Sequence, residues 1–176
     1  ITGIPTSYDS RQIARDAGIS VAELADVEKV DVAIDGADQV TSRDAIKGGG
    51  AAHTREKVVD AFADRLYLVV DETKVVTNLS HPIPVEVLPF ARTTVCEALK
   101  GLGGNPEIRR AKRKDGPLVT DNGNFILDCD FGRITEPKDL AAKLGDQPGI
   151  VDHGLFIEMA DKIVVGDSDD VFIHER

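Results

Sequence analysis

From Asp31 to Glu56 the sequence reads DVAIDGADQVTSRDAIKGGGAAHTRE, a short window dense in groups that could do chemistry. Asp35 and Asp38 flank Gly36 and Ala37 at the end of an apolar, β-branched run. Lys47 precedes Gly48, Gly49 and Gly50, and Glu56 follows on what reads as a helix. Glycines let backbone N–H groups approach a ligand's oxygens, and a helix opening near Gly50 adds the positive end of its dipole. Lys47 adds a mobile cation. Such a set suits a phosphate, a carboxylate or a developing oxyanion. Each part alone says little, because Asp-Gly is a common turn and glycines serve any tight bend. The window holds no G-x-G-x-x-G and no Walker loop, so a nucleotide is not implied.

Glu56 has two readings. Projected at helical spacing it falls beside Ala52, Val59 and Ala63, at the border of an apolar face formed by Val58, Val59, Phe62 and Leu66. A carboxylate there loses hydration, which raises its pKa toward a value useful for a base. On the other reading it is a surface glutamate paired with Arg55. The helix alone does not choose between them.

These residues need elements to hold them. Asp31–Ile34 and Leu66–Val70 read as strands buried on both faces, as in a parallel sheet, each with acids at its C-terminal end. Ligands bind at that edge in open α/β sheets. Ala51–Phe62 is the helix between them, giving a βαβ unit. Ahead of it, Gly3, Pro5, Thr6 and Ser7 punctuate a loop, and Ser7 or Asp9 caps a helix over Ser10–Ala17. Val21–Leu24 is a short strand or helical turn.

His81-Pro82-Ile83-Pro84 breaks the pattern and marks a hinge. Beyond it come a strand at Val85–Phe90, a helix at Thr93–Leu102, a strand at Glu107–Lys112 and an extended segment at Pro117–Thr120. Asn122-Gly123 predicts a type I′ hairpin turn. A strand at Phe125–Phe131, a Thr135-capped helix at Pro137–Leu144 and a strand at Gly154–Ile157 complete a β-α-β-β-α-β order, which is ferredoxin-like. Lys162–Val165 and Val171–His174 are strands that rejoin the first sheet.

The totals set limits. At 176 residues, 41% hydrophobic and 30% charged, the chain can bury a sizeable core as one domain with a smaller insert. Ile1 in place of Met predicts a processed chain or a piece of a longer one. No apolar run is long enough to span a bilayer. The net charge of -10 argues against nucleic acid as a partner. Its scattered acids suit a salt-rich setting, where screening removes self-repulsion, though an ordinary acidic enzyme fits nearly as well. Cys96 and Cys129 predict free thiols in a reducing cytoplasm, and His53, His81, His153 and His174 show no metal-ligand spacing. No metal is expected.

The motifs also carry a resemblance. AIDGAD at Ala33–Asp38, IKGGGAA at Ile46–Ala52, REK at Arg55–Lys57 and DETK at Asp71–Lys74 resemble the type A ribose-5-phosphate isomerases. So do PIPVEVLP at Pro82–Pro89, VTDNGNFILD at Val119–Asp128, PGIVDHGLF at Pro148–Phe156 and MADK at Met159–Lys162.

The resemblance implies a cofactor-free aldose–ketose isomerase of the non-oxidative pentose phosphate pathway. It would interconvert D-ribose 5-phosphate and D-ribulose 5-phosphate through an enediolate. Glu56 then matches the base, and Asp35, Asp38 and Lys47 match groups that assist ring opening and steady charge. Gly36, Ala37, Gly48, Gly49, Gly50 and Lys74 match substrate-binding positions. The implied fold is a Rossmann-like open sheet over 1–83 plus 158–176, with a ferredoxin-like α+β lid over 84–157. The family's N-terminal strand and phosphate loop are expected to be absent from this chain. The implied setting is cytoplasmic, with a small sugar phosphate as ligand and a homodimer or homotetramer as assembly. A related deaminase or transferase sharing the sheet is a weaker match, and a non-catalytic sugar-phosphate sensor is the alternative that Glu56 argues against.

Overall fold

A computed structural model describes residues 1–167 and 170–175. Thr2–Gly3 (β1) pairs in parallel with Ser20–Val21 (β2), and helix α1 (Tyr8–Asp16) lies between them. Ser7 caps α1 through a reciprocal box with Ser10, which satisfies donors a helix start would leave open. The expectation that the chain lacks an N-terminal strand is therefore overturned. Gly3 and Pro5 give this stretch the composition of a loop, yet the backbone at Thr2 and Gly3 is extended and paired.

Next come β3 (Ala33–Asp35), the hairpin strands β4 (Gln39–Val40) and β5 (Asp44–Ile46), helix α2 (His53–Phe62) and β6 (Leu66–Asp71). The sequence between Asp38 and Ile46 reads as plain connection. Strands of two or three residues are too short to show a period.

The following stretch holds β7 (Ile83–Val87), α3 (Arg92–Gly101), β8 (Asn105–Ile108), β9 (Phe125–Asp130), α4 (Pro137–Gly145) and β10 (Ile150–His153). Its four strands form an antiparallel sheet in the order β10-β7-β9-β8. All five residues of β7 are buried, and Val85, Val87, Leu99, Leu127 and Leu144 belong to its core. At the hairpin into β9, only Gly123 has positive φ, whereas a type I′ turn needs it at Asn122 as well. The Gly123 N–H instead donates to the Thr120 carbonyl and the Thr120 N–H to the Asn124 carbonyl. That loop leaves the Asn122 and Asn124 side chains free to turn inward. Helix α4 starts at Glu136 without a side-chain cap, so Thr135 does not cap it.

The chain closes with β11 (Leu155–Ile157), β12 (Lys162–Gly166) and β13 (Val171–Glu175). β11 pairs with β5, in a small antiparallel sheet ordered β11-β5-β4, not with the strands before it. The remaining sheet is mixed: β3, β6 and β12 run parallel and β13 is antiparallel at the edge. The fold is thus α/β with mixed sheets. Ala33, Leu66, Leu68, Val70, Phe156, Ile163 and Val165 fill a second core beneath the mixed sheet. No helix among the described residues is long and apolar enough to cross a membrane.

Candidate active site

The ends of three elements meet at Lys47. β3 delivers Asp35, β5 runs straight into Lys47, and the first turn of α2 carries Glu56. Lys47 is 2% exposed, too buried to hold its charge without partners. Its Nζ lies 2.6 Å from Asp35 Oδ2 and 3.1 Å from Glu56 Oε2, and donates to the Gly36 carbonyl at 2.6 Å. The ammonium also sits 5.2 Å from the centre of the Phe156 ring, an additional attraction for a cation.

The glycine loop is held beside this cluster. Asp38 Oδ2 accepts from the Gly49 N–H at 2.8 Å, and a Cβ on Gly49 would stand 2.6 Å from Asp38 Oδ1. Gly48 has φ +113, and a Cβ there would meet the buried His53 ring at 2.8 Å. Only glycine fits at Gly48, and a side chain at Gly49 would have to push the Asp38 carboxylate aside. Gly50 is exposed at the tip of the loop.

The expected site residues divide accordingly. Asp35, Gly36 and Glu56 all touch Lys47, Asp38 joins them through Gly49, and Gly48 and Gly50 continue the same loop. Ala37 lies between the acids. Lys74 is different: it stands on the short helical turn Glu72–Lys74 after β6. β6 pairs with β3 in parallel, so Lys74 shares the carboxyl edge of the sheet with Asp35 but not the Lys47 cluster.

Electrostatics distinguish the groups. Burial pushes the Glu56 carboxyl above its ordinary range; the Lys47 charge opposes this, and Asp35 and Asp38 add to the rise. One turn along α2 sits Asp60, 6% exposed, its Oδ2 without a hydrogen-bond partner among the described residues. Burial, helped by Asp35 and Glu56 and opposed by Lys47, raises its pKa to about 7. On the next face Lys57 pairs with Asp152 at 2.7 Å and donates to the His153 carbonyl. Burial lowers Lys57, holds His53 below its usual range, and brings His153 to about 4. Both imidazoles are therefore neutral at pH 7. Among the described residues, no three His, Cys, Asp or Glu side chains gather as a set able to hold a metal; the His174 side chain lies outside those residues.

Two participants escape the sequence. Asp60 was legible in principle, since i+4 spacing puts it on the same face as Glu56. Arg109 was not. It follows β8, forks onto Asp128, and donates to the carbonyls of Gly48 and Gly49 at 2.8 and 3.1 Å. Nothing in a run of Arg109-Arg110 tells which one crosses to a loop far away in sequence.

Comparison with known proteins identifies the family. The family model for ribose 5-phosphate isomerase A (phosphoriboisomerase A) matches residues 2–170. A ribose-5-phosphate isomerase A of Haloarcula marismortui is 60% identical over 173 residues, covering 98% of this chain and 75% of the relative. One from Thermosynechococcus vestitus is 52% identical, over 95% of this chain and 72% of its own length. The ribose 5-phosphate isomerase A structure from Methanocaldococcus jannaschii superposes with a TM-score of 0.95 at 41% identity, over 99% of this chain and 78% of that one. A D-ribose-5-phosphate isomerase in complex with phospho-erythronic acid superposes at 0.97, also with 41% identity, over 100% and 78%.

Proposed function

This chain belongs to the ribose 5-phosphate isomerase A family, and from its site we propose how it carries out the reaction. The protein is an isomerase that interconverts D-ribose 5-phosphate and D-ribulose 5-phosphate in the pentose phosphate pathway. Glu56 is the base. It takes the proton from C2 of the open-chain aldehyde and returns it to C1, while a proton moves between the two oxygens. Electron density passes through an enediolate whose oxygens need positive partners. Lys47 and the N–H groups of the Gly48–Gly50 loop supply them. Asp35 and Asp38 hold Lys47 and the loop in place and serve the proton traffic of ring opening. Lys74, at the same sheet edge, contacts the substrate farther from the reacting carbons.

The observation that carries this reading is the contact of the almost fully buried Lys47 with both Asp35 and Glu56. A base of raised pKa beside a fixed cation is what proton transfer next to a carbonyl requires. A solved relative in complex with phospho-erythronic acid supports a sugar-acid phosphate as the kind of ligand taken.

We further propose a catalytic part formed by 1–83 and 158–176 and a lid formed by 84–157. The antiparallel sheet, whose strands all lie between Ile83 and His153, supports it. A cytoplasmic homodimer or homotetramer completes the reading. The free thiols of Cys96 and Cys129 suit a reducing compartment. Exposed Ile34, Val69 and Ile173 give the mixed sheet an apolar face for association.

The test is conversion of ribose 5-phosphate to ribulose 5-phosphate by the wild type and by Glu56→Gln, across pH. Activity should fall on the acid side at a pH above the ordinary glutamate range, because only ionised Glu56 accepts a proton. Turnover that survives Glu56→Gln removes it from the base role. Binding without turnover in the wild type favours a sensor.

A further inference from the structure

We propose that Arg109 is a positioning residue that aims the glycine loop, resting on the isomerase reading of that loop. The argument is one of peptide geometry. A trans peptide is planar, so its C=O and the following N–H point in opposite directions, and this chain has no cis bond among its described residues. Arg109 Nη1 draws the carbonyls of Gly48 and Gly49 toward itself, at 2.8 and 3.1 Å. The next N–H groups must then face away from Arg109. Gly49 obeys: its N–H meets Asp38 Oδ2 at 2.8 Å on the side of the catalytic acids. Gly50 is the next in line. Its N–H has no hydrogen-bond partner among the described residues and is left as a donor toward the substrate's oxygens.

The loop would not hold this orientation unaided. Gly48 has a φ open only to glycine, and a glycine run has more conformations to lose than any other. Arg109 is itself fixed. Its backbone N–H donates to the Ile126 carbonyl, its own carbonyl accepts from Leu118, and its guanidinium forks onto Asp128. The remaining Nη1 donors are spent on the loop. A planar guanidinium can serve a carboxylate on one edge and carbonyls on another, which an ammonium cannot. Asp38 and Arg109 thus grip the same loop from opposite sides, one by its N–H and the other by its carbonyls.

Arg109→Met and Arg109→Lys test this against the wild type and Glu56→Gln, all as the full chain. Two quantities are read: kcat and KM for ribose 5-phosphate, and the exchange rate of the Gly49 amide by NMR. Arg109→Met should speed Gly49 exchange at least about tenfold while the hydrogen-bonded amides of the sheets hold their rates. Its kcat should fall on the order of tenfold to a hundredfold, more than KM rises, since misplaced donors cost most in the transition state. Lysine, which keeps charge but not the fork, should restore less than half of the loss. The proposal is overturned if Gly49 exchange and kcat stay within about twofold of wild type in both variants, or if lysine restores both fully. Should Arg109→Met fail to fold, Arg109→Lys decides alone by the same two readouts. A wild type without turnover would sink the isomerase reading instead, while the exchange rates would still judge the clamp.

Discussion

Two glutamates near the start of α2 are buried, and they end in opposite states. Glu56 is 16% exposed and has Lys47 beside it, yet its carboxyl is raised above the ordinary range. Glu86 on β7 is 0% exposed with no cation in contact among the described residues, and its carboxyl is lowered. Burial alone would raise both. Burial does push Glu86 up, but donors outweigh it: the hydroxyls of Thr54 and Thr120 and the amides of Asn122 and Asn124 all donate to it. Glu56 has one partner among the described residues, and that partner is shared with Asp35. A base must be able to give its proton back, and a carboxylate enclosed by four donors cannot take one. The count of hydrogen bonds to the charged form, more than depth, separates the reactive carboxylate from the structural one.

Glu56→Gln tests the reactive side and should have the largest effect. The amide cannot accept the C2 proton, so kcat should fall about 10³-fold. Thermal stability should change little, because Asp35 and the Gly36 carbonyl still hold Lys47. A variant that loses several kcal/mol of stability along with its activity would make Glu56 a structural group like Glu86.

Glu86→Gln tests the structural side. Four side chains donate to the carboxylate, and a neutral amide with a single oxygen cannot accept from all of them even if the Thr54 hydroxyl turns to accept its N–H. That leaves buried donors unpaired and should cost on the order of 3 kcal/mol in urea unfolding. The folded fraction should keep its kcat within about twofold. A large loss of kcat at unchanged stability would move Glu86 into the catalytic machinery.

The two glutamates were not equally legible. Glu56 could be found because helical spacing put it at an apolar border and the glycine loop stood nearby. Glu86 sits in a Pro-Val-Glu-Val-Leu run, where alternation marks it as solvent-facing. Its donors come from α2 and from a hairpin that are distant in sequence, and the hairpin's Asn-Gly pair suggests a type I′ turn although the Asn122 side chain serves Glu86 and its φ is not positive. The same limit hid Arg109, while the βαβ frame around Asp35 and Leu66 was plain from its apolar runs, although those runs read as buried on both faces and Ile34 and Val69 lie exposed on one. Local periodicity shows elements and their edges. It does not show which side chains cross between them.

Asp60 is the intermediate case: buried like Glu86, but with an oxygen left without a donor. Its pKa rises from 3.8 to about 7, so between those values the folded state holds a proton that the unfolded state has released. Stability is therefore lost as pH climbs through that window. Asp60→Asn removes the charge and should stabilise the fold by about 2 kcal/mol at pH 8, with little gain at pH 4. Equal gains at both pH values would show that Asp60 is not carrying this cost.

Thr54→Val gives the smallest effect and the finest test, because it takes one donor from Glu86 and nothing from Glu56. Thr54 lies two residues before the base on α2, yet its hydroxyl points to β7. Because the folded pKa of Glu86 is depressed below 4.5, its contribution is fully present above that value and fades as pH falls through the folded pKa. Removing one donor brings the folded pKa back toward 4.5. The variant should thus lose about 1 kcal/mol at pH 7, and the loss should shrink in acid. Its kcat and the acid limb of its pH profile should match the wild type, since Glu56 keeps all its neighbours. A displaced acid limb would mean that the two carboxylates share one network across α2, and the division between reactive and structural glutamate would not hold.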